Sequence, residues 1–256
     1  MAWTGFLKEV KEARKALKFK DDEECFFRGH AYSSWELHPT LLRHCLENGL
    51  KSDDEIRDLE SALFFEFRSR AKELHGQSLS DWDILFHMRH HTLATRLLDW
   101  TEGLGVAVYF ALQKATENST PCVWLLNPYA LNKKKKSWKV RDLVAPEYLP
   151  HGDYEFGDYL VDYSKSKGFD WDWPVALYPM HRNARLHAQH GYFTIHGEDT
   201  RPLELIAPDV VRKVPLPREA RDEAWEFLRI AGINEYLLFP DLDHLASHLH
   251  RKYGIR

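Results

Sequence analysis

The sequence has too few cysteines to build a framework from them. Its three cysteines, Cys25, Cys45 and Cys122, lie far apart and form no Cys-x-x-Cys pair. A cysteine-based zinc site is therefore excluded, and a disulfide framework is not expected. The chain also lacks any run approaching the ~20 apolar residues that span a bilayer. Its start alternates charged and apolar side chains, unlike a signal peptide. We expect a soluble, cytoplasmic protein that does not bind membranes.

An excess of charge of either sign is missing as well. The 35 basic and 39 acidic residues leave a formal charge of −4, which argues against a surface that coats polyanions but leaves a local basic patch open. The four lysines at 133–136 predict a solvated loop, with nucleic-acid contact as the alternative.

Common catalytic signatures are missing too. The sequence contains no P-loop, Gly-x-Gly-x-x-Gly, Gly-x-Ser-x-Gly or Cys–His–acid arrangement, so kinases, Rossmann enzymes and typical hydrolases gain no support. His87 and His91 share the spacing of two helical metal ligands, but Arg89 lies between them and would repel a cation. We therefore predict no metal site. A metal-dependent nuclease is not favoured, because no clustered carboxylates appear.

The residues that are present predict a single α+β domain over 1–256, with a mixed or antiparallel sheet flanked by helices. Two helix starts carry a serine followed three residues later by an acid, Ser52 with Glu55 and Ser80 with Asp83. Further helices are expected over 3–19, in the apolar run after Gly105, and over 217–231 and 241–253. Strands are expected around Phe27, over 121–128, and in the two segments 191–197 and 203–217. The stretch at about 127–181 is predicted to be a loop-rich insertion.

Two polar stretches could form a site. In "TRLLDWT", Arg96 and Asp99 either form a buried ion pair that braces a loop or line a polar pocket beneath Trp100, together with Thr95 and Thr101. In "NARLHAQHGYF", strand periodicity would place Arg185, Gln189 and Phe193 on one face, which suits a nucleotide or another phosphorylated ligand. The alternative for the second stretch is a half-exposed strand with polar outer residues.

Three segments together resemble the FRG-domain family. They are "FFRGH" with "SSWELHPTLLR", then "HHTLATRLLDWT" with "VAVYFAL", and then "NARLHAQHGYF". The family is named for the Phe-Arg-Gly triplet that stands here as Phe27, Arg28 and Gly29. Where the family usually has a glutamine and a Gly-x-Pro, this chain has Arg89, Thr92 and Ala94. The family brings no settled catalytic mechanism with it.

The order of these segments also resembles ADP-ribosyltransferases. In those enzymes an arginine or histidine of an early strand grips NAD, hydroxyls of the next strand support the nicotinamide side, and a late glutamate stabilises the ribosyl cation. The resemblance implies catalytic roles for Arg28, Thr95, Asp99 and Gln189. It implies ligand contacts for Gly29, His30, Arg96, Trp100, Thr101, Tyr109 and Arg185.

Within that interpretation, Arg28 and Arg185 hold the diphosphate of NAD, and Trp100 or Tyr109 stacks on a ring. The late glutamate itself is missing, because the segment has Gln189, His190 and Gly191; Asp99 and Glu204 are the carboxylates nearest in sequence. We expect an NAD-dependent transferase that acts as a toxin or antiphage effector on a protein or nucleic-acid acceptor. The alternative is a non-catalytic module that senses a nucleotide, a nucleic acid or a phage component. The oligomeric state stays open.

Overall fold

The computed structural model describes residues 2–20, 23–50, 52–75, 80–134, 173–177 and 188–255. Helices pack on both faces of the sheet. The helices are α1 (Ala2–Ala16), α2 (Thr40–Glu47), α3 (Asp53–His75), α4 (Asp81–His90), α5 (Leu104–Gln113), α6 (Pro128–Lys134), α7 (Leu203–Ile206), α8 (Arg221–Ile230), α9 (Glu235–Leu238) and α10 (Leu242–Tyr253).

Six strands form one antiparallel sheet in the order β4-β5-β2-β1-β3-β6. They are β1 (Phe26–His30), β2 (Leu97–Thr101), β3 (Cys122–Leu126), β4 (Val175–Leu177), β5 (Gly191–Ile195) and β6 (Val211–Pro215). The described residues therefore confirm an α+β architecture with an antiparallel sheet. None of their helices is long and apolar enough to cross a membrane.

Both helix starts read from the serine–acid spacing are confirmed. Ser80 accepts a hydrogen bond from the backbone of Asp83, whose carboxylate in turn accepts from the backbone of Ser80. Ser52 and Glu55 form the same reciprocal pair. Because each pair satisfies backbone donors that a helix start leaves open, the local sequence determines where α3 and α4 begin.

Helix α5 packs directly on strand β1. Phe27 and Gly29 face this helix, since side chains alternate along a strand, and Phe27 joins Ala107 and Val108 in one apolar cluster. The opposite face of the sheet buries Phe26 with Trp100 and Trp124. By the same alternation the Arg28 side chain leaves β1 on the face of Phe26, and its guanidinium group must find polar partners.

Two expectations about local structure are wrong. The stretch at 97–101, read as a loop, is strand β2, and all five of its residues pair with β5. The segment 203–217, read as strand throughout, begins with α7, because Pro202 cannot donate to a sheet and starts a helical turn that buries Leu203. The predicted insertion at 127–181 includes α6 and β4, and residues 135–172 and 178–181 of it lie outside the described residues.

Candidate functional site

Asp99 lies between two arginines from different parts of the chain. Nε of Arg89, on α4, donates to both carboxylate oxygens of Asp99 at 3.0 Å, and Nη2 of Arg89 adds a further short contact. Arg28, on β1, donates through Nη1 to the Asp99 backbone carbonyl at 2.7 Å and lies 3.5 Å from its carboxylate. We call Arg28, Arg89 and Asp99 the arginine–aspartate cluster. The Asp99 side chain stays 41 % exposed, so the cluster opens to solvent.

The backbone explains how Arg28 reaches Asp99. Strands β1 and β3 pair along five residues, whereas β1 and β2 pair at Phe27 and Thr101. Beyond that pair the Arg28 guanidinium donates a hydrogen bond to the Asp99 backbone carbonyl, which would otherwise accept one from the backbone of a neighbouring strand. A charged side chain therefore occupies the seam between the two central strands.

His30 connects the cluster to the loop that follows β1. Its Nε2 accepts a hydrogen bond from Arg28 Nε at 3.0 Å, so the proton resides on Nδ1, which lies 3.3 Å from the Trp35 carbonyl oxygen and donates to it. Burial, together with the charge of Arg28, lowers the pKa of His30 to about 3. Both ring nitrogens are thus engaged within the protein, and His30 positions Arg28 rather than presenting a free nitrogen to a ligand.

The cluster holds more positive than negative charge. Burial lowers the pKa of Arg28 to about 10. The negative charge of Asp99 opposes this shift, whereas the positive charges of Arg89 and Arg43 add to it. Burial alone would raise the pKa of Asp99, but Arg89 and Arg28 lower it below its ordinary value. Asp99 is therefore ionised at neutral pH, and its one carboxylate faces the two guanidinium groups of Arg28 and Arg89. Such an excess favours an anionic ligand, phosphate above all, because guanidinium groups bind it in a bidentate way.

The two buried histidines predict a loss of stability in mild acid. His196 is fully buried, and burial followed by the charges of His38 and Arg96 lowers its pKa to about 3. Because His30 and His196 stay neutral when folded but take up protons near pH 6.5 when unfolded, the free energy of unfolding should fall as pH drops below about 6.5. Each group contributes up to about 1.4 kcal/mol per pH unit.

Urea unfolding at about pH 7.5 and about pH 5 measures this effect. His196→Gln should reduce the difference in unfolding free energy between the two conditions, whereas His250→Gln, at an exposed position of α10, should leave it unchanged. Equal stability of the wild type at both pH values would contradict the prediction.

Arg96 does not pair with Asp99. Its Nε donates to Glu60 on α3 at 2.7 Å, and Nη1 donates to the His196 carbonyl at 2.7 Å. The side chains of Arg96 and Glu60 are 2 % and 1 % exposed. Of the two interpretations of this stretch, the buried ion pair applies to Arg96, with Glu60 as the partner. The solvent-facing polar site applies to Asp99.

The other predicted site residues of β2 and its surroundings are mostly enclosed. Trp100 is 3 % exposed and donates through Nε1 to Thr194, and Tyr109 is 6 % exposed within the α5 core. A stacking role for either ring would require the core to open. Thr95 is fully buried, and its hydroxyl accepts from the backbone of Leu97.

Gln189 precedes strand β5 instead of lying in it. Its side-chain amide donates to the Leu238 carbonyl at 2.9 Å, and its backbone carbonyl accepts from the Thr101 hydroxyl at 2.7 Å. The predicted alternation of Arg185, Gln189 and Phe193 on one strand is therefore wrong, because β5 starts at Gly191. Arg185 itself lies outside the described residues.

Gly29 and Glu204 have structural partners. A side chain at Gly29 would meet the backbone of α5, so it is this helix, rather than a ligand, that approaches the glycine. Glu204 accepts a hydrogen bond from the Leu37 backbone at 3.0 Å, and burial raises its pKa. Its carboxylate holds the loop after β1.

Sequence reasoning missed Arg89 and Trp35. In the sequence Arg89 stands out only as a cation among histidines and as a departure from the FRG pattern, yet it is the main partner of Asp99. Trp35 lies in "SSWELHPTLLR" and is 46 % exposed. Among the described residues no group of three histidine, cysteine or carboxylate side chains is placed to hold a metal ion.

The fold and the site define an α+β protein with an antiparallel sheet and an arginine-rich site at the seam of its central strands. Residues 23–120 match the family model of the FRG domain, and this range includes Arg28, Arg89 and Asp99. This part of the chain therefore resembles the FRG domain. Neither the comparison with curated proteins nor the comparison with solved structures gave a match.

Proposed function

We propose that this FRG-domain protein binds NAD at the arginine–aspartate cluster and transfers its ADP-ribose, as a toxin or antiphage effector. The observation that carries the proposal is the adjacency of β1, β2 and β5. Arg28 on β1 contacts Asp99 on β2, and β2 pairs along its length with β5. This is the order in which the resemblance to ADP-ribosyltransferases requires the arginine, the middle strand and the late strand.

The two arginines suit the diphosphate of NAD. Arg28 uses Nε and Nη1 within the protein, and Arg89 uses Nε and Nη2 on Asp99 and Nη1 on the Thr40 hydroxyl. Because a guanidinium group has five N–H donors, each arginine keeps donor capacity for a phosphate oxygen. Their side chains are 22 % and 20 % exposed, which keeps them within reach of a ligand while limiting competition from water.

In the proposed reaction the bond between the ribose anomeric carbon and the nicotinamide nitrogen breaks, and nicotinamide leaves with the electron pair. The acceptor nucleophile then bonds to the same carbon and loses its proton to solvent or a base. Positive charge builds on the ribose in the transition state, and an ionised carboxylate stabilises it. Asp99 fills this role in the proposal, because it is ionised and half-exposed.

The proposal predicts that labelled NAD is consumed by the wild type and by neither of two variants. Arg28→Ala removes a phosphate contact, and Asp99→Ala removes the carboxylate, so each should lower nicotinamide release at least tenfold. Protein, DNA and RNA are offered in turn as acceptors, and growth arrest on expression provides a second readout. Arg201→Ala, in the exposed pair with Asp199, is the control.

A second candidate function is a nucleotide-sensing module without turnover. It is favoured because two of the predicted catalytic groups already have partners within the protein: Asp99 is held by two arginines, and the Gln189 amide donates to the Leu238 carbonyl. Under this function NAD raises the thermal midpoint of the wild type, and that of Arg28→Ala much less, while no nicotinamide appears. Absence of both turnover and binding would overturn the two functions together.

A further inference from the structure

We propose that Tyr32 and Trp35 form the nucleobase platform of this site, so that the ligand is a nucleoside diphosphate or a dinucleotide. This inference rests on the proposed function, since it takes the arginine–aspartate cluster as the diphosphate subsite. It adds the second half of the ligand and assigns it to a loop that sequence reasoning did not single out.

Trp35 is exposed although the loop around it is firmly held. The Ser33 backbone donates to Thr120 at 2.7 Å, and its carbonyl accepts from Lys213 Nζ at 2.8 Å. Two residues after Trp35, Leu37 donates to Glu204 and accepts from the Leu203 backbone at 3.0 Å. The loop is thus tied on both sides of Trp35, and its ring, 46 % exposed, is presented to solvent in a defined orientation.

A second aromatic ring widens the surface. The rings of Tyr32 and Trp35 lie 5.0 Å apart at an angle of 41°. The Tyr32 hydroxyl is 3.5 Å from the Thr116 hydroxyl, which restrains the tyrosine. Paired aromatic rings at a surface bind a flat heterocycle by stacking, and the base contributes its own π-face whatever its identity.

The platform is connected to the phosphate-binding arginines through one side chain. His30 contacts Arg28 with Nε2 and the Trp35 carbonyl with Nδ1, and the His30 and Trp35 rings lie 6.0 Å apart. A single imidazole therefore separates the aromatic platform from the Arg28 guanidinium. A base stacked on Trp35 and a phosphate bound by Arg28 are then held at a fixed separation, because His30 contacts both residues.

The surroundings of the platform are cationic and offer a further donor. Arg43 adds to the positive potential at both Arg28 and His30. Trp124, the β3 partner of Arg28, is 4 % exposed, and its Nε1 has no hydrogen-bond partner among the described residues. Lys213 lies over the Trp124 ring at 4.7 Å. Buried donors normally have partners, so an unused one beside a cationic site is consistent with a polar ligand.

Calorimetric titration with two probes separates the subsites. ADP carries a base and a diphosphate, whereas inorganic diphosphate carries no base. Trp35→Ala should lower the affinity for ADP roughly five- to a hundredfold and leave the affinity for inorganic diphosphate unchanged. Arg28→Ala should lower the affinity for both probes. Tyr253→Ala, which removes an exposed ring from α10, should alter neither.

The outcomes distinguish this inference from the proposed function. If inorganic diphosphate binds in an Arg28-dependent way but Trp35→Ala binds ADP like the wild type, the platform is overturned and the phosphate site stands. If Trp35→Ala lowers the affinity for both probes equally, Trp35 only supports the loop, and the proposed platform is again overturned. If the wild type binds neither probe, the proposed function fails as well. Circular dichroism of each variant checks that it is folded.

Discussion

Replacing Gly29 by alanine is expected to destabilise the protein by about 4 kcal/mol or more, a large share of the roughly 5–15 kcal/mol by which a typical domain is stable. An added Cβ would lie 1.9 Å from the Ala107 carbonyl oxygen and 2.6 Å from the Ala111 nitrogen. Both atoms belong to the backbone of α5, so no side chain can rotate away to make room. Helix α5 would have to move off β1, which would expose the apolar cluster beneath it.

Gly5→Ala is the matched control, because nothing lies within 4 Å of its added Cβ and the residue is helical. That substitution should be neutral or stabilise by up to about 1 kcal/mol. Urea unfolding measures both variants, or soluble yield where Gly29→Ala does not fold. A Gly29→Ala protein with wild-type stability would show that α5 does not pack as described.

The second large effect is expected at the buried ion pair. Arg96→Ala leaves the Glu60 carboxylate enclosed without its partner, and loss of one member of such a pair costs about 3–5 kcal/mol. It also removes the donor to the His196 carbonyl. The variant should therefore unfold at a clearly lower urea concentration than the wild type.

A double variant tests the electrostatic origin of this effect. Arg96→Met combined with Glu60→Leu removes both charges and keeps apolar volume, so it should be more stable than Arg96→Ala alone. Arg201→Ala breaks an exposed pair and should leave the urea midpoint close to that of the wild type. A double variant as unstable as Arg96→Ala would mean that packing, and not the uncompensated charge, dominates at this position.

Local patterns predicted the elements whose ends are set by neighbouring residues. The serine–acid pairs at Ser52 and Ser80 place two helix starts, because the hydrogen bonds involved span three residues. The apolar run of β3 and the strand at Arg28 were also predicted correctly. Strand β2 was missed, since its identity depends on pairing with β5, which lies about ninety residues later in the chain.

The candidate site was predicted in part. Arg28 and Asp99 were singled out separately, and the structure brings them into contact. Their link to Arg89 could not be read from sequence, because it depends on how α4 packs against the sheet. Arg96 directly precedes β2, and its pairing with Glu60 depends on how α3 packs there. The loop that carries Trp35 is anchored by Lys213 and Glu204, far along the chain.

The order of the strands in the sheet determines which fragments of this chain keep the neighbours of β1 and β2. The family match ends at residue 120, so it includes β1 and β2 but stops before β3 and well before β5. Those two strands are the outer hydrogen-bonding neighbours of β1 and β2. A fragment limited to 23–120 would keep the arginine–aspartate cluster while leaving both of its strands with an unsatisfied edge, a template for pairing with other chains. The matched segment is thus smaller than the sheet to which its strands belong.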